Sequence, residues 1–153
     1  AALAVAGVVT GSIDAAVAAL AGAGVSGKRM EVGRTTSGAV VVNDSYNANP
    51  DSMRAALDAL AAIDASRRVA VLGPMAELDD APAGHARVAD DARRRGIEVV
   101  AVGTDLYGVA AVAASAVEFD VQVLGPLGPG TAVLVKASNS AGLWAVADRL
   151  VEC

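Results

Sequence analysis

Short Val-rich segments alternating with Ala-rich helical ones predict an α/β fold, a Rossmann-like three-layer domain with a mostly parallel sheet. Three observations carry that expectation. Runs such as Val40-Val41-Val42 and Ala132-Val133-Leu134-Val135 are continuously apolar, as strands buried on both faces are. Between such runs, apolar residues recur at helical spacing. Clusters of Gly, Asn, Asp and Pro mark each change from one pattern to the other.

Taken in order, residues 1–9 and 13–21 read as Ala-rich helices parted by Thr10-Gly11, with Ser12 placed to cap the second and Gly22 and Gly24 to end it. A boundary is expected near residues 24–31. Residues 29–34 and 39–43 read as strands joined at Ser37-Gly38. A helix follows over Pro50–Ala62, with Met53, Ala56, Leu57, Leu60 and Ile63 on one stripe. Strand Arg68–Leu72 leads to a helix from about Gly84 to Arg95, closed by Gly96. Strand Glu98–Val102 leads to a helix near Leu106–Ala116. Strands Val121–Leu124 and Ala132–Lys136 come next, then a last helix, about Ser140–Val151, carrying Leu143, Val146 and Leu150. Right-handed crossovers fold such βαβ units into three layers.

Composition narrows the function classes. Of 153 residues, 54% are hydrophobic but only 3% aromatic, so Ala, Val and Leu must fill the core. The net charge of −5 opposes binding to nucleic acid, which needs clustered positive charge to neutralise phosphates. Arg93-Arg94-Arg95 sits where a helix ends, and cations there complement the helix dipole. Cys153 is the single cysteine, so no disulfide within the chain and no multi-cysteine metal site can form. No apolar run reaches the ~18 residues of a membrane span. The opening Ala1-Ala2-Leu3-Ala4-Val5-Ala6 lacks the basic stretch of a signal peptide, and the first methionine is Met30, so the chain reads as a piece excised from something longer.

Two glycine patterns invite a phosphate-binding reading and fail it. Gly22-Ala23-Gly24-Val25-Ser26-Gly27 satisfies G-x-G-x-x-G, and with Lys28-Arg29 it nearly satisfies a P-loop. Both motifs require a strand before the loop and a helix after it. Here the order is reversed, and Arg29 stands where a magnesium-binding hydroxyl belongs. In Gly125-Pro126-Leu127-Gly128-Pro129-Gly130, two prolines remove amide donors.

The most informative stretch is Asn43-Asp44-Ser45-Tyr46-Asn47-Ala48-Asn49-Pro50-Asp51-Ser52-Met53, at the carboxyl end of a presumed parallel strand, where ligands bind in open α/β sheets. Asn49, Pro50 and Asp51 suit a helix start. Capping leaves Asp44, Ser45, Tyr46 and Asn47 unexplained. Their acceptor, hydroxyl, ring and amide can stack on a base and hydrogen-bond a ribose. His85, the single histidine, reads as a helix-face residue, since one His and one terminal Cys make no usual zinc site. Asp79-Asp80 and Asp90-Asp91 read as solvated charge. Lys136 ends a strand and suits a ligand contact or an ion pair equally. Trp144 reads as a packing residue of the last helix.

The run Asn43–Met53, continuing through Arg54-Ala55-Ala56-Leu57, resembles the D-D-S-Y-N-A-N-P motif of the D-alanyl-D-alanine-adding (MurF-type) branch of the Mur ligases. Val69–Leu78 is similar to that family's V-x-V-x-G-D-M-x-E-L stretch, His85 falls where a histidine opens the next helix, and Val133–Ser138 resembles its L-V-K-G-S run. Arg29-Met30-Glu31 looks like the family's G-R-x-E junction. Three positions depart from the pattern: Pro74 replaces Asp, and Ala137 and Asn139 replace the Gly and Arg of K-G-S-R.

The resemblance implies residues 1–30 as the helical tail of a central ATPase domain and 31–153 as the C-terminal Rossmann-like domain. It implies a cytoplasmic ATP- and magnesium-dependent ligase of peptidoglycan synthesis, joining D-alanyl-D-alanine to UDP-N-acetylmuramoyl-tripeptide through an acyl phosphate. On that reading Arg29, Asp44, Tyr46, Asn47 and Asn49 face the nucleotide, and Lys136 and Ser138 position substrate. No catalytic or metal-binding residue is expected in this segment, because ATP and magnesium are held mainly by the missing central domain. It would act as a lid and be inactive alone. The rivals are the same domain from another Mur-type or polyglutamate ligase, a stand-alone nucleotide-binding or regulatory module, and an adaptor working only through its surface.

Overall fold

The structure, a computed structural model, describes residues 27–153. The helices expected over 1–9 and 13–21 lie outside the described residues, as does all but the last glycine of the G-x-G-x-x-G stretch. Five strands form one sheet: β1 (Glu31–Arg34), β2 (Val40–Asn43), β3 (Arg67–Leu72), β4 (Glu98–Ala101) and β5 (Thr131–Lys136). Their spatial order is β1-β2-β5-β3-β4. β1 runs antiparallel to β2, with its turn at Gly38 (φ 95°), and the other pairings are parallel. Among the described residues, three helices accompany the sheet: α1 (Pro50–Ala62), α2 (Ala81–Arg94) and α3 (Trp144–Glu152). The architecture is a mostly parallel α/β domain, as the alternating pattern predicts.

Successive strand residues point to opposite faces, and the two faces have separate cores. Val40, Val42, Ala70, Leu72, Ala132 and Leu134 pack against α1 and α2 through Met53, Leu57, Leu60, Val88 and Ala92. Val41, Val69, Val71, Val133 and Val135 pack against α3 and the 116–124 segment through Leu143, Val146, Leu150 and Phe119. With both faces covered, neither β2 nor β5 has an exposed residue. Burying each large aliphatic side chain stabilises the fold by about 1.5–3 kcal/mol.

Helix α1 begins and ends where the sequence predicts, for local reasons. Asn49 Oδ1 accepts from Ser52 N at 2.9 Å and Ser52 Oγ accepts from Asn49 N at 3.0 Å, a reciprocal cap, with Pro50 in the first helical turn. Helix α2 starts at Ala81, three residues before the expected Gly84. Asp80 caps it by accepting from Ala83 N at 3.0 Å, and Pro82 lies in the first turn, where no N–H is needed. The acidic pairs thus have work beyond solvation: Asp80 is a cap, and Asp90 and Asp91 bind Arg93 and Arg94.

Two expected elements do not form. No helix spans Leu106–Ala116. Gly103 and Gly108 take positive φ (72° and 74°), Tyr107 turns inward, and Ala113 pairs with Val102 beside β4. These tertiary contacts override the helical preference of the Ala-rich run. Val121–Leu124 is a 3-10 turn, not a strand, because Asp120 Oδ1 binds Gln122 N at 2.9 Å and Gly125 (φ 68°) turns the chain back. The last helix begins at Trp144, after a 3-10 turn over Asn139–Ala141 and a left-handed Gly142, but it buries Leu143, Val146 and Leu150 as expected.

Candidate functional site

The position of β5 creates the site. Strands β2 and β3 are followed by α1 and α2 on one face, whereas β5, between them, is followed by α3 on the other. The connections diverge at the strands' carboxyl ends, the usual ligand position in such sheets. The register sets Asn43 beside Val135 and Leu72 beside Lys136. The loops after β2, β3 and β5 therefore leave the sheet together.

Lys136 ties the first of these loops down. It is 1% exposed. Its ammonium donates to Asp44 Oδ2 at 2.5 Å, Asn47 O at 2.7 Å and Asp44 O at 3.3 Å. An ammonium has three donors, and all three have partners inside the domain. Asn43 adds a second tie, its Oδ1 accepting from Ser45 Oγ at 2.6 Å and Ser45 N at 3.3 Å. The other Asp44 oxygen accepts from Met30 N at 3.2 Å, and Tyr46 N donates to Lys28 O at 3.1 Å. The stretch entering the domain is thus fastened to the same loop.

The outer side of the loop is exposed. Tyr46 is 43% exposed, with the Arg29 guanidinium 4.2 Å from its ring centroid, and Asn47 and Asn49 are also exposed. Asn49 is engaged by its cap, so Asn47 offers the freer side chain. Beside them the Lys28 ammonium lies 3.9 Å from the centroid of Trp144, which is 36% exposed. Trp144 thus holds a cation at the surface instead of packing in the core. Lys28 and Met30 both take positive φ (67° and 51°), so the stretch around Arg29 keeps a backbone shape that side chains disfavour.

Ser138 belongs to a second cluster. Its Oγ accepts from Ala76 N at 2.9 Å, and its own amide donates to Pro74 O at 3.0 Å. A Cβ on Gly73 would stand 2.7 Å from the Ala137 Cβ, so the loop after β3 approaches the Lys136–Ser138 turn as closely as a bare backbone allows. His85, 1% exposed on the inner side of α2, accepts from Met75 N at Nε2 (3.1 Å). Tyr107, 2% exposed, donates to Gly73 O at 2.7 Å, and burial raises its phenol above the ordinary range.

The sequence assigns Arg29, Asp44, Tyr46, Asn47 and Asn49 to a nucleotide side and Lys136 and Ser138 to a substrate side, and the fold gathers these residues at the ends of β2 and β5. Sequence reasoning did not find Tyr107, which lay inside an expected helix. It also read His85 without the buried contacts that the residue makes. The G-D-M-like stretch before it was the available signal, since a His ten residues beyond Met75 can reach back over that loop.

A mostly parallel α/β sheet with polar loops gathered at one carboxyl edge defines the class of this domain. The chain belongs to the Mur ligase family: the family described as "Mur ligase, glutamate ligase domain" matches residues 28–139. The chain is 41% identical to the UDP-N-acetylmuramoyl-tripeptide–D-alanyl-D-alanine ligase of Mycobacterium tuberculosis (strain H37Rv), over 92% of this chain and 34% of that protein. The enzyme of the same name from Synechocystis sp. is 37% identical, over 73% of this chain and 27% of its own length. The crystal structure of MurF from Acinetobacter baumannii superposes with a TM-score of 0.69 at 25% identity, over 92% of this chain and 33% of that one. MurF ligase from Thermotoga maritima in complex with ADP gives 0.69 at 19% identity, over 86% and 32%, a likeness of fold alone. The chain spans about a third of the length of the curated relatives it matches.

Proposed function

We propose that this chain is the C-terminal domain of an ATP-dependent ligase that joins D-alanyl-D-alanine to UDP-N-acetylmuramoyl-tripeptide in the cytoplasm, during peptidoglycan synthesis. The observation that carries the reading is the Asp44–Asn49 loop. Its inner side is pinned by Lys136 while its outer side presents Tyr46 and Asn47 beside Arg29. An exposed ring, an exposed carboxamide and a guanidinium fit the base, ribose and phosphates of ATP. ATP supplies the phosphoryl group that activates the acceptor carboxyl.

On this reading residues 1–30 close the preceding domain and 31–153 form this one, although Lys28 to Met30 already lean on the second unit. Magnesium and most of the nucleotide contacts belong to the preceding domain. This domain's task is closure, which excludes water from an activated carboxyl and aligns the amine. With its three N–H bonds made internally, Lys136 positions the loop, and through it the substrate side of the cleft. Ser138 likewise shapes the turn next to the substrate side. No described helix is long and apolar enough to cross a membrane.

The test is phosphate release by the full-length ligase with ATP, magnesium and the UDP-muramoyl tripeptide, comparing D-alanyl-D-alanine with single amino acids. Release that depends on the dipeptide is the expected result. Because the matching family also covers glutamate ligases, release with glutamate or another single amino acid would move the amine specificity and keep the family. Ligation by the 153-residue chain alone would overturn the assignment to a lid.

A further inference from the structure

We propose that His85, seconded by Tyr107, is a positioning residue for the ligation: it sets the loop after β3 and, through Ser138, the turn that borders the incoming amine. The proposal rests on the ligase reading above. His85 needs the neutral Nδ1–H tautomer. The Met75 amide can only donate, so Nε2, 3.1 Å away, must carry a lone pair. The Ala81 carbonyl can only accept, so Nδ1, 2.7 Å away, must carry the proton. Both nitrogens are occupied, the ring is 1% exposed, and it lies 4.8 Å from the Tyr107 ring at 59°.

From this pair a continuous chain of bonds crosses the sheet edge. His85 holds Met75, and Tyr107 Oη donates to Gly73 O. The next residue, Ala76, donates to Ser138 Oγ, and Ser138 N returns a bond to Pro74 O. Gly73 N donates to Lys136 O, and the Lys136 ammonium holds Asp44 and Asn47. Ala76 and Glu77, at the outer end of the held loop, are exposed beside Ser138. A side chain used only for core packing would not need two aimed nitrogens; an apolar residue would fill the same space with no buried polar atoms to satisfy.

The full chain tests the geometry, because its one histidine gives one unambiguous pair of ring-nitrogen NMR signals. A pure Nδ1–H tautomer is expected, with the Ala76 and Ser138 amide signals displaced in His85→Leu; an Nε2–H tautomer, or unmoved Ser138, overturns the proposal. Kinetics of the full-length ligase test the role. His85→Leu should raise the KM for the dipeptide about tenfold while the KM for ATP changes less than about twofold, and His85→Gln, which can still accept and donate, should recover most of the loss. Tyr107→Phe, which keeps the ring, should raise the dipeptide KM about threefold and stands in if His85→Leu fails to fold. Equal effects on both KM values, or none, overturn the positioning role. A wild-type enzyme that ligates no amine instead overturns the ligase reading, and with it the kinetic half of the proposal.

Discussion

Lys136 Nζ and Asp44 Oδ2, 92 residues apart in the chain, meet at 2.5 Å, with the lysine side chain 2% and the aspartate side chain 14% exposed. The pair joins the end of the middle strand to the loop that carries the family's most specific motif. Removing one member of a buried pair leaves an uncompensated charge and costs about 3–5 kcal/mol. Asp44→Asn should therefore destabilise by about 3 kcal/mol, more than Lys136→Met, since Asp44 retains access to water. The double variant should cost clearly less than the sum in urea denaturation. Simple additivity would show that the pair does not hold the loop.

Gly73→Ala should cost about 1–3 kcal/mol, because the new methyl would meet the Ala137 Cβ at 2.7 Å. Ala137 stands where the family pattern has Gly, so Gly73→Ala with Ala137→Gly should recover at least part of that loss. Paired melting curves of the two variants decide it.

Asn47→Ala separates stability from activity. Its backbone carbonyl, not its side chain, receives Lys136, and the residue is exposed. Unfolding free energy should change by less than about 0.5 kcal/mol. Turnover of the full-length ligase should fall about tenfold, the worth of one hydrogen bond of about 1.4 kcal/mol made only on closure. Unaltered turnover would favour an adaptor domain acting through other surfaces.

Stability should respond to acid through Asp91. Burial opposes its charge, but hydrogen bonds from Arg95 and Arg94 prevail and hold the carboxyl below its ordinary value. Such a group stabilises fully above the unfolded carboxylate pKa of about 3.9 and loses that contribution as pH falls through the lower folded value. The gap in unfolding midpoint between wild type and Asp91→Asn should stay constant from about pH 7 to 5 and close below about pH 4. A gap that closes instead near neutrality would assign the effect to another group.

What could be read from the sequence was what neighbours along the chain decide. The helix over Pro50–Ala62 was legible because its cap, its proline and its apolar stripe are local. The four parallel strands were legible because both of their faces are apolar. The segment from 103 to 124 was not, since Tyr107 bonds to a carbonyl 34 residues away and Ala113 pairs with Val102. The same limit hid the site's wiring. Lys136 was visibly at the right edge, but the choice between a ligand contact and an ion pair depended on a partner 92 residues distant. His85 read only as a helix-face residue because nothing adjacent to it announces the Met75 amide.

The order β1-β2-β5-β3-β4 also governs how the chain must be made. The middle strand is the last one synthesised, so until Thr131–Lys136 emerges, β2 and β3 each present an unpaired inner edge. Such open edges invite pairing with other chains, and the long-range closure that removes them is intrinsically slow. A ribosome that halts near Gly130 would therefore leave two sticky half-sheets, and β5 is the keystone that closes them into one.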